Sequence, residues 1–319
     1  MRTIKKILVA IKRPGIGQAA TLRKAAQLAL GLGAELELFH ALTTPIFLGP
    51  VPGEQEDWRT TRDREQQRAT SRLQRSAERL RRSGAKVSVK AVWDYPGYAA
   101  LLRRAQQIDA GLIVAERHTG GHAAPWLLRY TDWELLRQSP VPVLLLKKSR
   151  PWRNPALLAG LDPFHEFAKP AKLDAEILTL GAVMAKALGG KLHAVHVYLA
   201  PAFRDGESAE ARALLESYQS RARDQAEAAL RRELKSAQMP PERLHVVPGQ
   251  PVTELPRLVR SLGADIVIMG AISRSGLKRL VVGNTAEAVF DELACDILVV
   301  KPSGFRTSIP QRVRGPAFV

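Results

Sequence analysis

The residues best suited to chemistry lie in the segment 270–285, which reads GAISRSGLKRLVVGNT. Glycine tolerates positive φ and lets the backbone approach a ligand, and the free N–H groups at a helix start attract anions. The residues that could serve a phosphate are Gly270, Ser273, Gly276, Gly283, Asn284 and Thr285. An ordinary strand-to-helix connection can carry the same glycines, so the spacing leaves both interpretations open.

The spacing in this segment excludes two common nucleotide motifs. It contains neither the GxxxxGK[ST] of the P-loop nor the GxGxxG of the dinucleotide-binding folds. A nicotinamide or flavin cofactor therefore has no support.

A second candidate group follows the apolar run 156–161, which predicts a buried strand. Asp162 comes directly after this strand, and a carboxylate there can accept hydrogen bonds from an adenine or a ribose, or hold Mg²⁺ through water. Capping of the following turn is an equal alternative. His165 lies at the same lip, where it would contact a ligand or orient Asp162, and Asp174 is predicted to start the next helix.

The other reactive side chains do not assemble into a catalytic or metal site. His193 and His196 fall three apart on a predicted strand and therefore point to opposite faces. His118 and His122 lack a third ligand in clear spacing. Cys295 is the only cysteine and reads as a small packed hydrophobe. With no nucleophile elbow and no paired carboxylates, we assign no catalytic residue and no metal ligand.

These residues are positioned by strands that alternate with helices, a pattern typical of parallel sheets with right-handed crossovers. The predicted strands are 7–11, 36–40, 86–93, 112–115, 141–146, 156–161, 192–198, 244–247, 266–269 and 296–300. The predicted helices between them are 19–32, 59–82, 98–107, 173–188, 207–237 and 252–262. The order of elements occurs twice.

Residue matches support the repeat. A shift of 154 places 112–147 on 266–301 without a gap, and a shift of 156 places Gly33 on Gly189 and His40 on His196. Two copies of one β/α unit explain these matches.

The copies differ where a ligand would bind. The residues of the first copy that face the glycines and serine of the second are Glu116, Thr119, His122 and Arg129. Side chains there would fill the space, and Glu116 would repel a phosphate. We therefore expect no nucleotide site in the first copy.

Composition sets the class of protein. A chain of 319 residues is long enough for two domains. No apolar run reaches the roughly 20 residues needed to cross a bilayer, and the first residues do not resemble a signal peptide, so a cytoplasmic location is expected.

The charge is uneven. The net charge of +17 divides into +13 for residues 1–150, with 26 basic and 13 acidic residues, and +4 for the remainder, with 22 and 18. Much of the excess lies in the arginine-rich helix Arg59–Arg82. Such a helix attracts nucleic acid, acidic lipid or an acidic partner, or is simply a solvated face.

Several separated motifs resemble one family. They are LDPFH at 161–165, KP at 169–170, LDAEIL at 173–178, LHAVH at 192–196, TDWELL at 131–136, GAISRSGL at 270–277, GNTAE at 283–287 and CDILVVKP at 295–302. Together they resemble the universal stress proteins, in particular the tandem-domain universal stress protein E branch, over residues 4–302.

The resemblance implies an α/β fold of two tandem domains, each a five-stranded parallel sheet in the order 3-2-1-4-5 with helices on both faces. The implied domains are 1–150, with a degenerate ligand loop, and 151–302, followed by a tail at 303–319. Ligands of such folds lie between the first and fourth strands. The implied ligand residues are Asp162, His165, Val197, Gly270, Ser273, Gly276, Gly283, Asn284 and Thr285.

The resemblance also implies a ligand. Members that bind ATP carry GxxG, nine residues, then G and Ser or Thr; Gly270 and Gly283 match, whereas Ser273 and Asn284 depart. An adenine nucleotide such as ATP with Mg²⁺ is one expectation, and another anionic or apolar ligand is its rival.

The implied role is protection under stress, including resistance to DNA-damaging agents, without catalytic turnover. The alternatives are an ATP-binding switch or slow nucleotide hydrolase, and a nucleic-acid binder acting through the basic helix. The final strands 141–146 and 296–300 are expected to join the two copies as a pseudo-dimer.

Overall fold

The computed structural model describes residues 3–43, 58–117, 125–164, 172–200, 208–234, 239–270 and 289–310, with the backbone alone for 58–59 and 125–131. Contacts within the chain divide these residues into two compact units. One comprises residues up to Pro151 together with 306–310, and the other comprises Trp152–Phe305.

The first unit is a parallel sheet flanked by helices. Its strands are β1 (Lys6–Ala10), β2 (Glu35–Leu42), β3 (Val87–Trp93), β4 (Leu112–Glu116) and β5 (Val143–Leu146). Its helices are α1 (Ala19–Leu32), α2 (Trp58–Arg82), α3 (Gly97–Gln107) and α4 (Pro125–Gln138). The strand order is β3-β2-β1-β4-β5, with parallel pairing throughout.

The second unit repeats this arrangement. Its strands are β6 (Ala156–Gly160), β7 (Lys191–Tyr198), β8 (Leu244–Pro248), β9 (Ile266–Gly270) and β10 (Asp296–Val300). Its helices are α5 (Leu173–Leu188), α6 (Ala209–Glu233) and α7 (Pro251–Leu262), with a 3₁₀ turn at Pro241–Arg243. The order β8-β7-β6-β9-β10 is again 3-2-1-4-5, so the predicted fold is confirmed.

The strands form because their residues are buried from both sides. Ile7, Leu8 and Val9 of β1 are fully buried, as are Leu157, Leu158 and Ala159 at the matching positions of β6. Continuous apolar runs of this kind are typical of parallel sheets covered by helices on both faces.

The first helix of each unit ends in the same way. Gly33 and Gly189 both adopt the left-handed conformation, each with φ of 63°. Glycine adopts this conformation without a Cβ clash. It therefore ends the helix and lets the chain turn towards the next strand. The sequence match between these two glycines therefore reflects a shared helix stop.

Within the described ranges, no helix combines the length and apolar character that crossing a membrane requires.

Candidate functional site

The candidate site lies at the carboxyl end of β6. This strand pairs with β9 on one side and, through the crossover helix α5, with β7 on the other. The chain passes from β6 to β7 on one side, whereas β9 on the other side is reached only later in the chain. The crevice between β6 and β9 is therefore the topological switch point, where ligands of open α/β sheets bind. Asp162 and Gly270 both lie at this edge.

Asp162 is held by its backbone, and its carboxylate has no hydrogen-bond partner among the described residues. The Asp162 N–H donates to Asp174 Oδ2 over 3.0 Å. Asp174 is fully buried in the first turn of α5, as predicted for a helix-start residue. The Asp162 side chain is 9% exposed, and both carboxylate oxygens are buried without a hydrogen-bond partner among the described residues. A buried acceptor without a donor is costly, so these oxygens are suited to a ligand that brings donors.

His196 adds a third buried acceptor. It is 2% exposed on β7, and its Nδ1 lies 3.1 Å from the carbonyl oxygen of Leu161, the residue before Asp162. Because a carbonyl can only accept, Nδ1 carries the proton, and in the neutral imidazole Nε2 is then the acceptor. In the described part of the chain this Nε2 is buried without a partner, and the ring of Phe164 lies 5.5 Å from the imidazole.

Sequence reasoning did not include His196 in the site. It used this histidine to align the two copies and to argue against a shared ion with His193. The signal that could have found it is the repetition itself, because His40 in the first unit bonds the matching carbonyl, that of Ile11, through Nδ1 over 2.7 Å.

Gly270 ends β9, in register with Val300 of β10. Its φ is not positive, so the glycine does not use the conformational freedom noted in the sequence. A Cβ built at this position would lie 2.6 Å from Leu173 Cδ2 and 3.4 Å from Ile177 Cδ1. The absence of a side chain therefore permits the close approach of α5.

The remaining predicted residues divide into two groups. Val197 lies on β7 beside His196, in register with Val247 of β8, and its side chain is half-buried on the opposite face of the sheet. The others lie outside the described residues: His165, Ser273, Gly276, Gly283, Asn284 and Thr285.

In the first unit, the positions that correspond to Asp162 and Gly270 are occupied by charged side chains. Lys12, which follows β1 as Asp162 follows β6, lies 3.7 Å from Asp132 of α4. Thr21 donates to Glu116, the counterpart of Gly270, over 3.2 Å. Burial lowers the pKa of Lys12, and the charges of Asp132 and Glu116 oppose that effect. This crevice therefore holds a cluster of interacting charged side chains.

The helix-start residues beneath these positions also differ between the units. Counting back from the glycines that end α1 and α5, Gly17 matches Leu173 and Thr21 matches Ile177. The second unit thus combines a strand glycine with a leucine at the helix start, and the first combines a strand glutamate with a glycine. A Cβ at Gly17 would meet nothing within 4 Å, so the close packing of these two positions is a feature of the second unit.

Two other histidines form a pair at the far side of the second sheet. Nδ1 of His193 on β7 lies 3.1 Å from Nε2 of His245 on β8, and the rings stack with centroids 5.3 Å apart. Burial, and then the charge of His245, lowers the pKa of His193, and burial lowers the pKa of His245. Among the described residues no three His, Cys, Asp or Glu side chains converge as a metal site would require.

Comparison with known proteins identifies the family to which a chain with this fold and this crevice belongs. A model of the universal stress protein family matches residues 3–147 and 172–301, so the chain belongs to that family with a copy of the domain in each unit.

Within the family, the similarity is to the tandem-domain members. The chain is 30% identical over 250 residues to universal stress protein E of Salmonella typhi, covering 75% of this chain and 76% of that protein. It is 23% identical over 312 residues to universal stress protein E of Photorhabdus laumondii, covering 97% and 98%.

A solved structure agrees over nearly the whole chain. A functionally unknown protein from Pseudomonas aeruginosa superposes with a TM-score of 0.70 at 26% identity, covering 94% of this chain and 93% of that one. This likeness extends the tandem arrangement to an experimentally determined relative. The chain is therefore a tandem universal stress protein similar to universal stress protein E.

Proposed function

We propose that this chain is a stress-response protein whose second unit binds an adenine nucleotide in the crevice between β6 and β9. The observation that carries the proposal is a set of buried atoms that find no hydrogen-bond partner in the described part of the chain: two oxygens of Asp162 and Nε2 of His196. A ligand that supplies N–H or O–H groups would remove the cost of leaving these atoms unpaired.

The chemistry of the acceptors favours one end of a nucleotide. Adenine and ribose carry an amino group and hydroxyls that can donate, whereas phosphate oxygens are acceptors and would not satisfy a carboxylate. Asp162 and His196 therefore hold the nucleoside part in this proposal. The phosphates belong to the residues predicted for that role: Gly270, Ser273, Gly276, Gly283, Asn284 and Thr285.

The first unit is excluded from the proposed binding by its own side chains. Lys12, Asp132 and Glu116 form a cluster of charged side chains at the matching positions. The expected stoichiometry is therefore one nucleotide per chain. Binding rather than turnover is the proposed role, with protection under stress, including stress from DNA-damaging agents, as its outcome.

The test is calorimetric titration of the full chain with ATP and with adenosine, with and without Mg²⁺. Saturable heat at one site per chain is expected. Asp162→Asn and His196→Gln should each weaken binding about 10- to 100-fold, the range for losing a hydrogen bond to a buried polar or charged group. His193→Gln, on the same strand but the opposite face, is the matched control and should bind normally. Absence of heat with both ligands, or two sites per chain, would overturn the proposal.

A further inference from the structure

A regular stripe of arginines runs along α2, outside the crevice of either unit. It consists of Arg64, Arg68, Arg72, Arg75, Arg79 and Arg82, all of them exposed. Their spacings of four, four, three, four and three residues keep them on one face of an α-helix. At 1.5 Å per residue the stripe is about 27 Å long.

The helix that carries the stripe is fixed in place. Leu73, Ala77 and Leu80 are buried on its opposite side, where α2 packs on β3 and β2. The apolar face of α2 is thus already used by the first unit. What remains for a partner is the exposed, positively charged face of α2.

The helix neutralises little of this charge itself. Arg68 is paired with Glu65 at 2.5 Å, and Arg79 donates to Ser76 over 3.4 Å. Arg72, Arg75 and Arg82 make no ion pair or side-chain hydrogen bond within the described residues. Half of the stripe is therefore available to an external anion.

The duplicated fold provides an internal comparison. Helix α6 occupies the matching place in the second unit, between the second and third strands, and like α2 it has 25 residues. Its sequence contains five arginines and five acidic residues, whereas α2 contains nine arginines and three. A neutral helix thus satisfies the fold at this place, and the charge of α2 requires another explanation.

We infer that the arginine stripe of α2 is a docking surface for the phosphodiester backbone of nucleic acid. Guanidinium groups bind phosphates through paired hydrogen bonds, and a linear row of them matches a linear polyanion. The stripe carries no aromatic side chain for base stacking, so the expected binding is independent of sequence.

A membrane surface fits this face less well. Helices that bind in the lipid interface insert an apolar face beside their basic residues. Here Leu73, Ala77 and Leu80 are buried within the unit, and the neighbours of the stripe, such as Ser71 and Glu78, are polar.

Salt dependence is the measurable signature. Each phosphate contact on a duplex contributes about −0.9 to the slope of log K against log salt. Three contacts, one for each of Arg72, Arg75 and Arg82, predict a slope near −3 and a loss of affinity of about fortyfold between 50 and 200 mM salt.

The experiment compares two triple variants of the full chain by fluorescence anisotropy with a 20-base-pair DNA duplex of arbitrary sequence. Arg72→Gln, Arg75→Gln and Arg82→Gln together should reduce the slope by about 3 and weaken binding about a hundredfold or more at low salt. Arg212→Gln, Arg221→Gln and Arg223→Gln on α6 change the net charge equally and should leave both quantities nearly unchanged.

Competing partners are tested in parallel with phosphatidylserine vesicles and with polyglutamate. Circular dichroism checks that both triple variants keep the wild-type fold. Equal losses in the two variants would show that net charge alone attracts DNA and would overturn the inference. So would binding to vesicles or competition by polyglutamate in a protein that shows no salt-sensitive affinity for the duplex.

Discussion

At the scale of single residues, Gly270 shows how one position can serve packing while it lies beside a ligand crevice. The sequence suggests that Gly270 leaves room for a ligand. In the structure, however, a side chain at Gly270 would collide with Leu173, which is fully buried. In the first unit Glu116 takes the strand position and Gly17 the helix-start position, where a Cβ would meet nothing within 4 Å. The contact that couples the two positions is therefore the one between Gly270 and Leu173 in the second unit.

Substitution of Gly270 by alanine should destabilise the second unit by about 1–3 kcal/mol, the range for overpacking a core, because the new methyl group would overlap Leu173. Leu173→Ala should cost about 2–5 kcal/mol through the cavity it leaves. The double variant should cost less than the sum, since the alanine methyl fills part of that cavity. Urea unfolding of the full chain measures all three.

Gly160→Ala is the matched control for this cycle. A Cβ at Gly160 would meet nothing closer than Ile268 O at 3.7 Å, an ordinary contact. Its free energy of unfolding should stay within about 0.5 kcal/mol of wild type. Strict additivity of the Gly270 and Leu173 substitutions would contradict the proposed coupling.

Single residues also mark how far sequence reasoning reaches. Asp162 could be placed at a strand end because the apolar run before it is unambiguous. His196 could not be assigned to the site from the sequence. A histidine in a buried strand gives the same sequence pattern whether or not its second ring nitrogen has a hydrogen-bond partner. The lack of a partner is a property of three-dimensional contacts, which no spacing reports.

At the scale of elements, the predicted strands and helices were largely correct, but helix α4 (Pro125–Gln138) was not predicted, and most other differences lie at element ends. The last strand of the first unit was predicted at 141–146 and is Val143–Leu146, and the long helix predicted at 207–237 is Ala209–Glu233. Strand cores follow from apolar runs, but ends depend on local hydrogen bonds. The pairing of His193 with His245 could not be foreseen either, because it needs the register of β7 against β8.

That pair makes the second sheet sensitive to acid. The pKa of each histidine is lower in the folded protein than its ordinary value, so the unfolded chain takes up protons first as the pH falls. The free energy of unfolding should therefore decrease as the pH falls through about 6.5, and continue to decrease until the folded pKa values are passed. Arg243, Lys191 and Glu242 are the other charges that act on His193.

Urea unfolding at pH 7.5 and 5.5 tests this expectation. The double variant His193→Gln and His245→Gln should lose less stability between the two pH values than wild type does. His40, whose pKa is also lowered by burial, is present in both proteins and cancels in the difference. An unchanged pH dependence in the variant would show that the pair does not contribute.

At the scale of the whole molecule, the two proposals assign different tasks to the two copies of the domain. The second unit keeps buried acceptors at its switch point and a neutral α6, while the first has a filled crevice and a strongly basic α2. The repeat was readable from the sequence because the two copies share helix stops and strand cores. The difference between the two copies could be predicted only in part. The arginines of α2 can be recognised as one exposed stripe only when it is known which face of the helix is buried.

Protection under stress should require the crevice of the second unit. In a bacterial strain that lacks its own tandem universal stress protein, the wild-type chain should raise survival after a DNA-damaging dose. The Asp162→Asn variant at equal abundance should protect less, and His193→Gln should protect as wild type does. Equal survival with all three proteins and with the empty vector would refute a protective role.

The charge cluster of the first unit also constrains what descendants of this gene can become. Opening that crevice would require replacing at least Lys12 and Glu116. Removing Lys12 first would leave Asp132 and Glu116 as like charges in a partly buried place. Because that intermediate would be less stable than its parent, a pocket in the first unit is hard to gain by point mutations taken in that order.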